Sequence, residues 1–376
     1  MRAASFDGSL VCDRVLVGDP ELAARRKNSK MTIVDIAAAS GVSITTVSRI
    51  LNHKPDVAEA TRQRVLHVMD EIGFAPQSAW RQIRSGRSGL IGVHVPQDFN
   101  PPNLHVIMSA ALGVEDAGYS INIITRTLND ADLLGIFRSR EVDGIILSEI
   151  LTDDHRPGLL RDHGYPFVMI GHRVDNTGLS FVDVDVDHAI EMAIDHLAAL
   201  GHRSIALLTF DPVIREERYG FTTWALNAYE QACHRHGLAP VACLGGLTIE
   251  EMSAAARSML DNHPGVTAVV TPQEVSVVAL LRAVQERGMR IPDDLSVIAM
   301  LGEMPSELAT PPLTTVAFPA DELGSVAARM LLDRLANGGS GAEQAWIKSV
   351  LTVRGSTAAP RNKSPRRPSH GVTRID

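Results

Sequence analysis

Three short stretches of this 376-residue chain carry side chains able to bind a metal or to read another molecule's hydrogen-bonding groups. In "DVDVD", Asp183, Asp185 and Asp187 stand two residues apart, as the first carboxylates of a calcium loop do. That loop would next need Gly at position 188 and Glu at position 194, where His188 and Ile194 stand instead. The alternation reads better as a strand with its acids on one face. In "CHRH", Cys233, His234 and His236 meet no further ligands at a matching spacing, so a solvated helix end is expected. The third stretch, "VSITTVSRILN" at 42–52, crowds Ser43, Thr45, Thr46, Ser48 and Arg49 around Val42, Val47 and Ile50. Short hydroxyl and β-branched side chains are mediocre helix formers, so helix stability did not select them. Hydroxyls beside an arginine suit hydrogen bonds to base edges and phosphates.

The element that holds this third stretch is one of three short helices around a small core. Ile33, Ile36 and Ala37 repeat at helical spacing, Gly41 breaks the pattern, and "VSITTVSRILN" resumes it. A further helix follows Pro55, with Val65, Leu66, Val68, Met69 and Ile72 as its apolar stripe. Helix, tight turn at Ala39-Ser40-Gly41, and a second helix from about Ser43 make a helix-turn-helix layout. The start of its second helix enters the major groove of double-stranded DNA. Ser43 is placed to cap that helix. After this unit, "FAPQSAWRQIRSGRSG" mixes Arg81, Arg84 and Arg87 with Trp80 and Ile83. That composition suits a segment that orders on DNA, with Ile83 as an apolar wedge in the minor groove.

From Leu90 onward, apolar runs ("GLIGVHVP", "YSINIIT", "VDGIILS", "YPFVMIG", "SIALLTF", "VTAVVTP", "LSVIAML") alternate with amphipathic stretches. This is the pattern of βαβ units, hence of parallel sheets covered on both faces, and the span accommodates two lobes. The expected organisation is an N-terminal extension over 1–30, a DNA-binding unit over 31–76 and a hinge over 77–89. A two-lobed domain over 90–359 and a basic, Pro-rich tail over 360–376 complete it. A net charge of −8 excludes a uniformly basic surface, while 45% hydrophobic and 21% charged residues suit a folded chain. No apolar run reaches membrane-spanning length, and Asp7, Asp13, Asp19 and Glu21 interrupt any signal-peptide pattern, so a cytoplasmic location with no membrane partner is expected. Cys12, Cys233 and Cys243 form no CxxC pair. No GxxxxGK[ST], GxSxG or GxGxxG motif occurs, and neither a catalytic activity nor a cofactor is expected.

"MTIVDIAAASGVSITTVSRILNHKPDVAEATRQRVLHVMDEIGFAP", with "VDGIIL", "HLAALGHRSIALL", "TPPLTTV" and "VRGST", resembles the LacI/GalR family of bacterial transcription regulators from Met31 to Thr357. The resemblance implies a small all-α helix-turn-helix headpiece and an α/β effector domain like the periplasmic binding proteins, two doubly wound lobes joined by three crossovers. The crossovers are expected near Asp185, Phe318 and Lys348. It also implies a homodimer, usually a repressor, on a pseudo-palindromic operator, controlled by a small molecule, often a sugar, in the interlobe cleft. Carried over by position, operator specificity falls on Ile44, Thr45 and Arg49. Ser43, Thr46, Ser48 and Asn52 take backbone-contacting or supporting positions, and Ile83 replaces a minor-groove leucine. Gln77 and Trp80 depart from the usual hinge residues.

For the effector, the resemblance points to Arg218, Gln273 and Glu274, His172 and Arg173 add donors beside them, and Phe99 is a further candidate. The acids usual after the "VMI" and "SVIAM" strands are replaced here by Gly171 and Leu301, and the usual Asn-Asp pair by Gln273 and Glu274. An effector other than a simple hexose is therefore expected: larger, less hydroxylated, or anionic. The competing reading is a cytoplasmic solute-binding protein without operator recognition.

Overall fold

The computed structural model describes residues 33–51, 57–71, 87–95, 102–214, 217–338 and 341–361. The chain divides into two compact units, Met1–Gly86 and Arg87–Asp376.

In the first unit, α1 (Ile33–Ser40) and α2 (Ile44–Leu51) meet at 101°, and α3 (Glu59–Glu71) packs against both. Gly41 makes the corner in the left-handed region, at φ +65°, where a Cβ is disfavoured. Gly41 N–H donates to Ala38 O and Val42 N–H to Ala37 O, which occupies carbonyls left free at the end of α1. Ile36, Ala37, Val47, Ile50, Val65 and Met69 form the buried core, with Val42 packed against it. The apolar stripe expected on α3 is narrower than its sequence suggests. Only Val65 and Met69 are buried, Val68 is half-buried and Leu66 is exposed, because a thirteen-residue helix against two short ones buries one narrow line. Ile72 lies outside the described residues.

The second unit holds two six-stranded sheets of near-identical topology. The first comprises β1 (Leu90–His94), β2 (Ser120–Ile124), β3 (Gly144–Leu147), β4 (Phe167–Ile170), β5 (Phe181–Val184) and β13 (Gln344–Ile347), in the order β13-β5-β4-β3-β1-β2. The second comprises β6 (Ile205–Phe210), β9 (Val241–Gly245), β10 (Ala268–Thr271), β11 (Ser296–Ala299), β12 (Thr314–Val316) and β14 (Leu351–Thr352), in the order β14-β12-β11-β10-β6-β9. Every pairing within them is parallel except β12 with β14. The inner strands are buried on both faces, which is why they read as continuous Val/Ile/Leu runs.

The chain passes between lobes three times: after β5 at Asp185, after β12 at Phe318, and between β13 and β14 at Lys348, as expected. Entry into the first lobe is clamped by one carboxylate. Asp143 accepts from Ser88 N–H at 2.7 Å and from Gly89 N–H at 2.8 Å.

The remaining helices, in chain order, are α4 (Pro102–Glu115), α5 (Asp130–Arg138), α6 (Arg156–Asp162), α7 (Val186–Ala199), α8 (Gly220–Arg235), α9 (Ile249–Asn262), α10 (Glu274–Glu286), α11 (Glu303–Leu308) and α12 (Ala320–Asn337). A two-stranded hairpin of β7 (Val213–Ile214) and β8 (Glu217–Arg218) precedes α8. Inside the second lobe, fully buried Tyr229 on α8 donates to Ile205 O and accepts from Val241 N–H, tying that helix to the sheet.

"DVDVD" is not one strand, so that expectation is corrected. Asp183 is buried within β5, Asp185 caps α7 by accepting from His188 N–H, and Asp187 lies exposed in the first helical turn. The capping bond to a helix start outweighs two more residues of strand. "CHRH" does close a helix, with Cys233 buried and His234, Arg235 and His236 exposed at the end of α8.

Candidate nucleic-acid interface and effector cleft

In the first unit, one face of α2 is held by the core and the other is open. Val47 and Ile50 point inward, while Ile44, Thr45 and Arg49 are exposed and Thr46 and Ser48 are half-buried between the two faces. Ser43 caps the helix: its hydroxyl accepts from Thr46 N–H at 3.1 Å, and its carbonyl takes Thr46 N–H and Val47 N–H. A hydroxyl-to-hydroxyl bond of 2.8 Å links Ser43 to Thr46. At the other end Arg62 of α3 donates to Ile50 O and pairs with Glu59, so α2 is gripped at both termini. The result is a rigid, exposed row of one apolar, one hydroxyl and one guanidinium group. Asn52 and Ile83 lie outside the described residues.

In the second unit the strand C-termini of the two lobes face one another, the usual place for a ligand in doubly wound folds. The lobes touch there through a continuous set of bonds. The loop after β3 lends Ile150 O to Gly220 N–H at 3.0 Å, and Thr152 N–H donates to Arg218 O at 2.9 Å, with Leu151 bridged to Tyr219 between them. Gly220 permits this approach: a Cβ there would come within 2.9 Å of Ile150 O and 3.2 Å of His172 O. His172, in the loop after β4, stacks on Trp224 of α8 at 4.7 Å and 15° and meets Trp346 of β13 edge-on at 4.7 Å. Its Nδ1 is 2.6 Å from Asp183 Oδ2, and Asp183 Oδ1 accepts from Val184 N–H.

Other expected effector residues are spread around this junction. Gln273 is buried at the N-cap of α10, two residues past β10, accepting from the Thr209 hydroxyl at 3.0 Å. Glu274 begins α10; burial pushes its carboxyl above the usual carboxylate range, partly offset by His105 on the opposite lobe. Arg173 follows His172, half-buried. The Arg218 side chain is exposed on β8, and its carbonyl takes part in the interlobe pairing. Phe99 lies outside the described residues.

The reaching loop is anchored by a buried polar cluster that the sequence reading did not single out. Asp154, 1% exposed, receives Arg156 through Nε at 2.9 Å and through the same side chain's Nη2. Arg156 also donates to Glu149 O and lies 3.0 Å from His94 Nδ1. Burial works to raise the Asp154 carboxyl, but the hydrogen bonds and charge of Arg156 outweigh it and hold it low. Burial, then the Arg156 charge, push His94 down to about 4. An unfolded His94 would bind its proton near 6.5, so stability is lost as pH falls from that value toward 4. A loss of about 2 kcal/mol between pH 7 and pH 5 is expected from this one group in urea unfolding. A His94→Gln variant should show a flatter pH dependence over the same window.

Two apolar stripes remain on the surface. Leu104, Met108 and Leu112 lie one turn apart along α4, at 54%, 57% and 68% exposure, and Val278, Met304 and Leu308 are exposed on the second lobe. The i, i+4, i+8 spacing on α4 was present in the sequence and marks a face left uncovered among the described residues. No single helix among the described residues is long and apolar enough to cross a membrane.

A groove-reading helix-turn-helix unit followed by a two-lobed binding fold defines a ligand-responsive transcription regulator. Residues 32–77 match the model described as bacterial regulatory proteins, lacI family, and residues 194–357 match a periplasmic binding protein-like domain. The HTH-type transcriptional regulator MalR of Streptomyces coelicolor is 31% identical over 350 residues, covering 87% of this chain and 96% of that one. The chain belongs to the LacI family of bacterial transcription regulators. Its fold is similar to that of a CelR–cellobiose complex (26% identity, TM-score 0.64, covering 87% of this chain and all of that one). It is also similar to that of the lac repressor dimer bound to operator and the anti-inducer ONPF (23% identity, TM-score 0.70, 88% and 100% covered).

Proposed function

We propose that this chain is a cytoplasmic homodimeric repressor whose operator affinity is set by a small effector, carbohydrate-related in the broad sense, bound between the lobes. The observation that carries the reading is the open row Ile44, Thr45 and Arg49 on a helix capped by Ser43 and braced by Arg62. Thr45 offers a hydroxyl and a methyl to base edges, and Arg49 a bidentate donor to guanine or phosphate. Thr46 and Ser48 support the row, with Asn52 and a hinge over 77–89 carrying Ile83 completing the contact surface. The apolar stripe of α4 pairs two copies, so that two headpieces meet the two halves of a pseudo-palindrome. In the cleft, His172, Arg173, Gln273 and Glu274, with Phe99 and Arg218, contact the effector. Effector binding changes the lobe angle and, through it, the spacing of the two hinges, a coupling of about 1–3 kcal/mol in such systems.

The test is gel retardation of the intergenic DNA upstream of the gene. Arg49→Ala should weaken operator binding by roughly 5- to 150-fold, the worth of one good base contact, while binding to unrelated DNA at the same salt changes far less. A solute-binding protein without operator recognition would retard the intergenic fragment no better than unrelated DNA.

A further inference from the structure

Among the described residues, five buried side-chain nitrogen or oxygen atoms lack a hydrogen-bond partner: Arg173 Nε, Trp224 Nε1, Gln273 Nε2, Ser253 Oγ and Ser349 Oγ. The three nitrogens are all N–H donors, and their residues all belong to the elements that meet between the lobes. Arg173 follows His172, Trp224 stacks on His172, and Gln273 stands at the N-cap of α10 with only 5% of its surface exposed. A buried donor left without an acceptor bears the full cost of its desolvation, so three around one cleft call for a ligand that supplies acceptors.

Among the described residues, the ends of β4 and β11 are poor in acceptors. Gly171, Leu301 and Gly302 offer no side-chain oxygen at the ends of β4 and β11. Asp183 has one oxygen engaged by His172 and the other by Val184 N–H, and Gln273 Oε1 is taken by Thr209. Glu274, at the start of α10, is half-buried, and burial raises its carboxyl above its ordinary value. A neutral sugar presents hydroxyls that donate as well as accept, and needs acceptors in matching number. An anionic oxygen only accepts, and Arg173 adds positive charge beside it. Trp346, half-exposed and edge-on to both His172 and Phe181, offers a flat apolar surface for the rest of the molecule.

We propose that the effector is a small ring-bearing anion, its carboxylate or phosphate oxygens taken by Arg173, Trp224 and Gln273 and its ring laid on Trp346. The proposal rests on the interlobe cleft being the effector site. Its test is isothermal titration and thermal shift of the full-length protein with matched ligands: glucose, glucuronate and glucose 6-phosphate, and benzyl alcohol beside benzoate. At least one acid should bind at least tenfold tighter than its neutral counterpart, with glucuronate against glucose 6-phosphate separating carboxylate from phosphate. Gln273→Glu keeps the size of the side chain and the acceptor for Thr209 but replaces the free donor with a second, charged acceptor. It should weaken the acid at least tenfold while the unfolding midpoint without ligand stays near that of the wild type. Arg173→Gln, which keeps a neutral donor, should weaken it by a similar factor. Equal binding of acid and neutral partner, no binding by any acid in the panel, or undiminished binding in Gln273→Glu overturns the proposal. Operator retardation by the wild-type protein, measured on the same preparation, reports separately on the regulator reading: intact retardation without acid binding refutes only the anionic effector.

Discussion

If two copies pair through α4 as proposed, replacing both Met108 and Leu112 with Asp is expected to separate them into monomers and to lower operator affinity by about 100-fold or more. Both side chains stand more than half exposed on α4, and the inner face of that helix, Val106, Ile107, Ala110 and Val114, is untouched by the change. Two carboxylates placed on each of two facing helices would be buried without partners and beside like charges, a cost far larger than that of a single lost methyl contact. Operator affinity follows because two linked headpieces act at a high effective concentration, and separation removes an avidity factor of about 10²–10⁴. Sedimentation equilibrium and gel retardation at equal chain concentration measure the two effects together. A doubly substituted protein that remains dimeric and retards operator as well as the wild type would remove α4 from the pairing face.

Arg156→Ala is expected to destabilise the effector domain by about 3–5 kcal/mol, the usual cost of removing one partner from a buried ion pair. Asp154 has 1% of its surface exposed, and the Arg156 guanidinium is its charged partner, so the substitution leaves a buried carboxylate held only by the Arg156 and Leu151 backbone N–H groups. The same change removes the donor to Glu149 O and the contact with His94, leaving the loop that reaches the second lobe without its anchor. An Asp154→Asn, Arg156→Ala double variant should recover a large part of the loss, because the uncompensated charge is then gone. Chemical unfolding reads the stability. The interlobe pairing of Ile150 and Thr152 with Gly220 and Arg218 is read by hydrogen exchange at Gly220 N–H and Thr152 N–H, which should quicken more than exchange in β6. Stability and exchange unchanged from the wild type would mean that the cluster does not anchor the loop.

Local pattern made much of this molecule readable in advance. The helix-turn-helix was visible because Gly41 interrupts a helical repeat at a position that only a left-handed residue suits, and because Ser43 to Arg49 hold residue types a structural helix would not choose. The doubly buried strands were visible as apolar runs, since a strand covered on both faces has no polar alternation to show. The two patterns read less well were those in which two local preferences compete. "DVDVD" alternates like a strand, yet helix capping by Asp185 ends the strand at Val184. On α3, Leu66 has the type of a core residue but is exposed, on a face that no helix among the described residues covers.

What the sequence determined by itself was the kind of elements, their order and the helix-turn-helix, because each rests on preferences that act within a few residues; the three crossover points followed from the family resemblance. What only the tertiary structure decided was which distant side chains meet. His172, Trp224 and Trp346 are far apart along the chain and form one aromatic junction. His94, Asp154 and Arg156 become a buried cluster, and Arg173, Trp224 and Gln273 bring donors to the same cleft. No periodicity records such meetings, and the aromatic junction further needs the two lobes to meet at Gly220, where the absent Cβ lets their backbones touch.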